Sequence, residues 1–437
     1  MPDLVGVEDV APAGPERPLV YDLTHLVSRL TSAASSGIDR VDLAYGVHFA
    51  GADRIIAGAH YGLTGPHLVS PQLSRAIVAA AGAKWRAEAG EDEFSALLDW
   101  LAAPPGTPFA PRLWQARERP APARAARRLA QLRFRLAHDR RLAIPAGAVY
   151  LNAAQHAFEF PLFFRWLDRR PDLRKAFLIH DLLPLDYPEY FRASNLGVFR
   201  RRLATALRYA DAFITSTRVV RDRLREELAR QRLADRPIHV QPFASPLEGV
   251  AAEPPAGDRG HPYFVMIGTM EPRKNHLLVL HVWRELLAAD ANAPRLVLIG
   301  ARGWENEQVA DILDRSVALR AHVAELSGLP SARLARLLRG SCGLLAPSHD
   351  EGYGLPVVEA LALGAPAIAS DIPVFREVTQ GRARLLSPLA GPAWRAEIER
   401  LGADPPYRRS RQEEARRFEA PTWRGYFAGV EGFLQGL

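Results

Sequence analysis

From Pro18 onward the chain repeats one unit: a short apolar run, a break of small or polar residues, then a stretch with apolar positions at helical spacing. Pro18 to Thr24 (PLVYDLT) predicts a strand, Ser28 to Gly37 a small-residue loop and Ile38 to Ala50 a helix. The alternation resumes with strands at Ala148–Asn152, Arg174–His180, Ala212–Ser216 and Ile238–Gln241, and with helices at Phe158–Leu167, Val198–Tyr209 and Thr217–Arg230. Ala244 to His261 is rich in Pro, Gly and Ala and has no period, which marks a linker over 244–261. Beyond it come strands at Tyr263–Ile267, Arg295–Ile299, His322–Leu326, Cys342–Ala346 and Ala367–Ser370. Helices are predicted at His276–Ala289, Val309–Arg320, Ala332–Leu338 and Ala393–Leu401. Strands alternating with helices build mostly parallel, doubly wound sheets. The expected fold is therefore α/β: a disordered lead over 1–17, Rossmann-like halves over 18–243 and 262–408 facing a central cleft, and a C-terminal helix over 409–437 returning to the first half.

The stretch from Ala52 to Gly147 is less regular. Helices are plausible at Pro71–Trp85 and Glu91–Leu101, with a Pro-rich break at Pro104–Pro111. A basic helical stretch follows at about 112–141, with arginines interleaved by Leu129, Leu132, Phe134 and Leu136. Such a helix suits an anionic membrane surface or a charged acceptor, and equally a solvated face.

A length of 437 residues implies two or three domains. No apolar run is long enough to span a bilayer, and the acidic, Pro-rich start lacks the basic head and apolar core of a signal peptide. Cys342, the single cysteine, fits a reducing compartment, so a cytoplasmic location is expected. A net charge of +7 raises the question of nucleic acid. The excess is written almost wholly in arginine, with Lys only at 84, 175 and 274, and no zinc-finger or RNP-like pattern accompanies it. No nucleic-acid partner is expected.

The candidate chemistry gathers in Ala346–Pro373 (APSHDEGYGLPVVEALALGAPAIASDIP), where Glu351 and Glu359 flank a Gly352/Gly354 turn and Pro356 fits the first helical position. Amides around Gly354, Leu355 and Val357 at a helix start suit a phosphate. An ordinary strand–turn–helix with two solvated acids fits the same residues. Gly268 to Asn275 (GTMEPRKN) follows a strand and sets Arg273 beside Lys274, a pairing suited to a diphosphate, with Asn275 placed to cap the next helix. His180 and Asp181 end another strand, where open α/β sheets bind ligands. Neither GxGxxG nor GxxxxGK[ST] is present.

GTMEPRKNH, IGARGWENE and PSHDEGYGLPVVEALALGAPAIASDIPVFREV together resemble the nucleotide-sugar half of retaining GT-B glycosyltransferases of family 4, with Glu351 and Glu359 as the E-x7-E pair. YDLT with SGIDRV, and FLIHDLLPLDYPEYF, extend the resemblance loosely into the first half, most closely to bacterial surface-polysaccharide mannosyl or rhamnosyl transferases. The resemblance implies that Arg273 and Lys274 neutralise a departing diphosphate, Glu351 contacts the donor sugar and Glu359 the ribose. It also implies that Gly354 and Leu355 bind the distal phosphate, Ser327, Gly328 and Leu329 line the base pocket, and Gly268 and Gly37 allow close approach. His180 would reach the donor or acceptor sugar from the first half. Further implied are a nucleoside diphosphate hexose donor, GDP-mannose by preference over UDP or dTDP sugars, and an oligosaccharide or lipid-linked acceptor at the inner face of a membrane. No metal and no other cofactor are implied. A GT-B-shaped binding protein without turnover is the alternative. The sequence departs from the family pattern at Tyr353, where Phe is common, and in the basic stretch VTQGRARLLSP after Glu377.

Overall fold

Two sheets carry the chain. In a computed structural model that describes residues 17–31, 36–51, 54–61, 65–86, 91–109, 121–250 and 261–437, the first sheet is built from β1 Leu19–Asp22, β2 Ile55–His60, β3 His67–Val69, β4 Val149–Asn152, β5 Arg174–Ile179, β6 Ala212–Thr215 and β7 Ile238–Val240, in the order β3-β2-β1-β4-β5-β6-β7. The second is built from β8 Tyr263–Ile267, β9 Arg295–Ile299, β10 Val323–Leu326, β11 Gly343–Ala346, β12 Ala367–Ser370 and β13 Arg384–Leu386, in the order β10-β9-β8-β11-β12-β13. All pairings are parallel except β2 with β3. RLVLI is buried along its length and YFVMI up to its last residue because helices cover both faces of a parallel sheet. Strand order reverses between β1 and β4 and between β8 and β11, and crevices at the carboxyl ends of strands open at such switch points.

Residues 1–16 of the expected lead, 32–35 of the small-residue loop, 110–111 of the Pro-rich break, 112–120 of the basic stretch and 251–260 of the expected linker lie outside the described residues. The first part of that linker differs from expectation: Ala244, Ser245 and Leu247 are buried, and the Phe243 carbonyl accepts the Tyr353 hydroxyl at 2.6 Å. Composition marked these residues as loose, but apolar neighbours draw them into the core. The expected helix at Phe158–Leu167 is a 3-10 helix over Pro161–Arg169, set one turn late by Pro161. The expected helix at Val309–Arg320 divides into Glu307–Arg315 and Val317–Arg320 at Ser316.

The irregular stretch makes an unforeseen connection. Helix Glu91–Ala102 was assigned to the first half, yet Arg333 and Arg336 of the second half lie over the Phe94 ring at 5.3 and 5.8 Å. Arg295 of β9, fully buried, stacks on Trp100 and donates to the carbonyls of Ala103 and Pro104 at 3.0 and 2.8 Å. A buried guanidinium needs partners, and the carbonyls of Trp100, Ala103 and Pro104 supply them to Nη1 and Nη2, while among the described residues Nε has none.

Helix Trp423–Gln435 runs back onto helix Gly37–Gly51. Tyr426 and Tyr45 share a 2.6 Å hydroxyl bond, Phe427 stacks on His48 at 3.9 Å, and Glu431 pairs with His48 and Arg54. One apolar cluster thereby runs from Tyr45 and Phe49 through Tyr426 and Phe243 to Tyr353 and Phe375 of the second half. Replacing Phe427 by Ala is expected to cost about 3–5 kcal/mol, read from the denaturant midpoint, because it empties a buried aromatic site between elements that cannot collapse into the space.

Candidate active site

The two sheets face each other across the ends of β8 and β11. After β8 the chain turns through Gly268, at φ 146°, and a short 3-10 turn Pro272–Lys274 presents Arg273 and Lys274. After β11, Ser348 and Glu351 lie opposite. Glu351 accepts from Arg273 Nη1 at 2.6 Å, from Lys274 Nζ, and from the Ser348 hydroxyl at 2.7 Å. Arg273 also donates to Glu271 at 2.6 Å and to the Asp350 carbonyl at 2.8 Å. Burial works to raise the Glu351 pKa, but the charges of Arg273 and Lys274 and the hydrogen bonds from Lys274 and Ser348 hold it at about 2. Burial likewise opposes the Arg273 charge, and Glu351 and Glu271 more than offset it, so that its pKa is raised. The predicted partners Arg273, Lys274 and Glu351 thus form one ionised cluster. Sequence reasoning did not find Glu271 or Ser348; Glu271 stood in the quoted motif, but nothing in its spacing indicated that it would turn back on Arg273.

The glycines between the two acids have separate reasons. Gly354, at φ 89°, precedes helix Leu355–Ala362, and a Cβ there would meet the Phe375 ring at 2.3 Å. A Cβ on Gly352 would stand 2.6 Å from the His180 carbonyl and 2.9 Å from Asp181. Only a residue without a side chain lets the strand end bearing His180 approach this closely. Ser216 and Thr217 donate to the Gly352 carbonyl, and the Glu377 carboxylate accepts from Arg218 and Val219 at the start of helix Arg218–Arg230. His180 donates from Nε2 to the Ala153 carbonyl at 2.8 Å, and burial, with the nearby His25 charge, lowers its pKa to about 4. It is a neutral imidazole at pH 7. Asp181, not assigned a role from sequence, has its pKa raised by burial despite Arg273.

Glu359 stands apart from the cluster. It lies one turn into helix Leu355–Ala362, is 1% exposed, and pairs at 3.0 Å with Arg40 of the first half, while its Oε2 is buried without a partner among the described residues. Gly37 opens helix Gly37–Gly51 with its Cβ position 3.4 Å from Leu355 Cδ1. Ser327, Gly328 and Leu329 follow β10, with Gly328 at φ 70° and Leu329 buried. Two readings need correction. Pro356 is the second helical residue, because Leu355 opens the helix. Asn275 does not cap helix His276–Ala289: its left-handed backbone, φ 59°, turns the amide toward the Pro347 and Pro388 carbonyls at 3.2 and 2.9 Å. Among the described residues no three His, Cys, Asp or Glu side chains converge as metal ligands, and no helix is long and apolar enough to cross a membrane.

Two doubly wound halves facing one cleft define the GT-B fold. A TarM from S. aureus, solved with fondaparinux, α-GlcNAc-glycerol and UDP, shares it at a TM-score of 0.51 and 14% identity, over 66% of this chain and 55% of that one. Residues 253–418, which span most of the second half, match the family model Glycosyl transferases group 1. Serotype-specific mannosyltransferase WbdA of Escherichia coli is 30% identical over 222 residues, 48% of this chain and 27% of that protein. O-antigen chain mannosyltransferase B of Escherichia coli is 28% identical over 254 residues, 56% of this chain and 64% of that protein. The match to WbdA therefore spans less than a third of that relative's length.

Breaking a buried ion pair costs about 3–5 kcal/mol, so Glu351→Gln is expected to lower stability at pH 7 by that order. The Glu351 contribution is complete above pH about 4.5, the ordinary Glu value, and is lost as pH falls through about 2. The gap between wild type and variant should therefore narrow across that window in pH-dependent urea melts.

Proposed function

We propose that the cleft transfers a hexose, mannose from GDP-mannose by preference, from a nucleoside diphosphate sugar to a saccharide or lipid-linked acceptor in cell-surface polysaccharide synthesis. The observation that carries the reading is the set Arg273, Lys274 and Glu351 gathered at the β8/β11 switch point before helix Leu355–Ala362. The mannosyltransferase relatives supply the preference for mannose. In the proposed step the C1–O bond to the diphosphate breaks and a C1–O bond to the acceptor forms. The acceptor proton passes to the leaving phosphate, and the anomeric configuration is retained. Lys274 and Arg273 stabilise the charge that develops on the leaving group, helped by the amides of Gly354 and Leu355, so no metal is called for. Glu351 positions the sugar and shares its two cations with the diphosphate. Glu359 takes the ribose hydroxyls, the Ser327–Leu329 loop takes the base, and neutral His180 meets the sugar from the opposite half.

Peripheral membrane contact belongs to the same reading. Leu129, Leu132 and Leu136 of helix Ala121–Leu136 are more than half exposed, and Arg128, Arg133 and Arg135 stand exposed beside them. An apolar stripe edged by cations suits an anionic inner leaflet, where a lipid-linked acceptor would be met.

Lys274→Ala, with folding verified by circular dichroism, is expected to lower hexose transfer from GDP-mannose about 100- to 1000-fold. Unchanged transfer overturns the assignment. Among GDP, UDP and dTDP sugars, the cognate donor is expected to give the largest rise in melting temperature, because it binds the folded state alone.

A further inference from the structure

The contact between Arg40 and Glu359 joins residues 319 positions apart, and it crosses the cleft at the point where the proposed donor would lie. Its partners are unequal. Glu359 is 1% exposed and fixed on a helix, whereas Arg40 is 27% exposed and reaches in from the cleft side. Among the described residues, Glu359 is the sole hydrogen-bonding partner recorded for the Arg40 guanidinium. The other Glu359 oxygen is buried and has no hydrogen-bond partner among the described residues. A buried carboxylate oxygen left unpaired is costly, and a group that brings hydroxyl donors would relieve it.

The surroundings indicate what else arrives. Helix Gly37–Gly51 and helix Leu355–Ala362 begin close to each other, with the Gly37 Cβ position 3.4 Å from Leu355 Cδ1. Each helix start carries positive dipole charge, which Asp39 in the first turn of helix Gly37–Gly51 partly offsets, and Arg40 brings a full positive charge to the same place. Arg40 sits in the first turn of one helix. Glu359 is four residues beyond Leu355 in the other, about 5–6 Å along the axis, a span that a change of arginine rotamer covers. The cations already assigned to the diphosphate are themselves matched: Arg273 and Lys274 face Glu271 and Glu351. A diphosphate entering this space draws on a cation that can move.

Resting on the donor-site reading above, we infer that Arg40 is a third donor-phosphate cation, held on Glu359 while the cleft is empty and exchanged onto the diphosphate when the nucleotide's ribose takes Glu359. The bridge between the halves is then carried by the donor in place of Glu359, because Arg40 starts from the first half and ends on a ligand bound to the second. Arg40 is thus the positioning residue through which the first half contributes to the donor site.

Calorimetric titration of wild type, Arg40→Ala and Arg40→Lys tests this, using GDP against guanosine and UDP against uridine as probes, with melting curves to verify folding. In Arg40→Ala the affinity for the diphosphate should fall about tenfold or more, while that for the matching nucleoside stays level or rises, since the ribose no longer competes with a guanidinium for Glu359. Arg40→Lys should recover part of the diphosphate affinity. A rise for nucleoside and diphosphate alike would make Arg40 a competitor of the ribose alone and overturn the phosphate role. An equal loss for both, or no change, would overturn the exchange. If wild type binds none of the four probes, the donor-site reading falls and the inference with it.

Discussion

Everything around the cleft depends on how two cations and two carboxylates are buried together. Arg273, Lys274, Glu271 and Glu351 lie at the ends of β8 and β11, nearly out of water, and each ion satisfies another. Taking such charges from water costs several kcal/mol apiece, which only close geometry and further hydrogen bonds recover. Ser348 and the Asp350 carbonyl supply those bonds, and Gly268 leaves room for the Lys274 stem, 3.3 Å from where a Cβ would stand. The cluster is thus ionised and prearranged before any ligand enters. Prearranged charge in a dry site is the form of electrostatic stabilisation that group transfer from a diphosphate needs.

The first half is held to this cluster by backbone rather than by large side chains. Gly352 lets the His180 strand end come within contact, and Ser216, Thr217 and the Glu377 cap on helix Arg218–Arg230 fix the same approach. Two further straps lie away from the chemistry: the helix at Trp423–Gln435, which returns across the first half, and the helix at Glu91–Ala102, which leaves it to lie against the second. The loop Ser327–Leu329, assigned to the base, is therefore followed by a helix that the first half covers. The cleft is lined by residues of both halves, and the helix behind this loop is covered by the first half.

Much of the second half was legible because its signals are local. Helix His276–Ala289 and strands Arg295–Ile299 and Ala367–Ser370 have the bounds that apolar periodicity alone predicts, and the turn at Gly354 announces itself by residue type. What escaped is what tertiary contact decides. Arg40 looked like one arginine among many until Glu359 met it from 319 residues away. Asn275 has the composition of a cap, but a left-handed backbone aims its amide elsewhere. Strand β3, three residues long, is too short to carry a period, and Glu91–Ala102 reads as an amphipathic helix without saying which half its apolar face covers.

The most direct measurement of the central claim is a crystal structure of the protein with GDP, and a second with UDP. The account expects the phosphates of the bound nucleotide between Lys274 and the first turn of helix Leu355–Ala362, with ribose hydroxyls on Glu359 and the base beside Ser327–Leu329. A nucleotide bound elsewhere, or one bound in the cleft with its phosphates remote from Lys274 and that helix start, would contradict it.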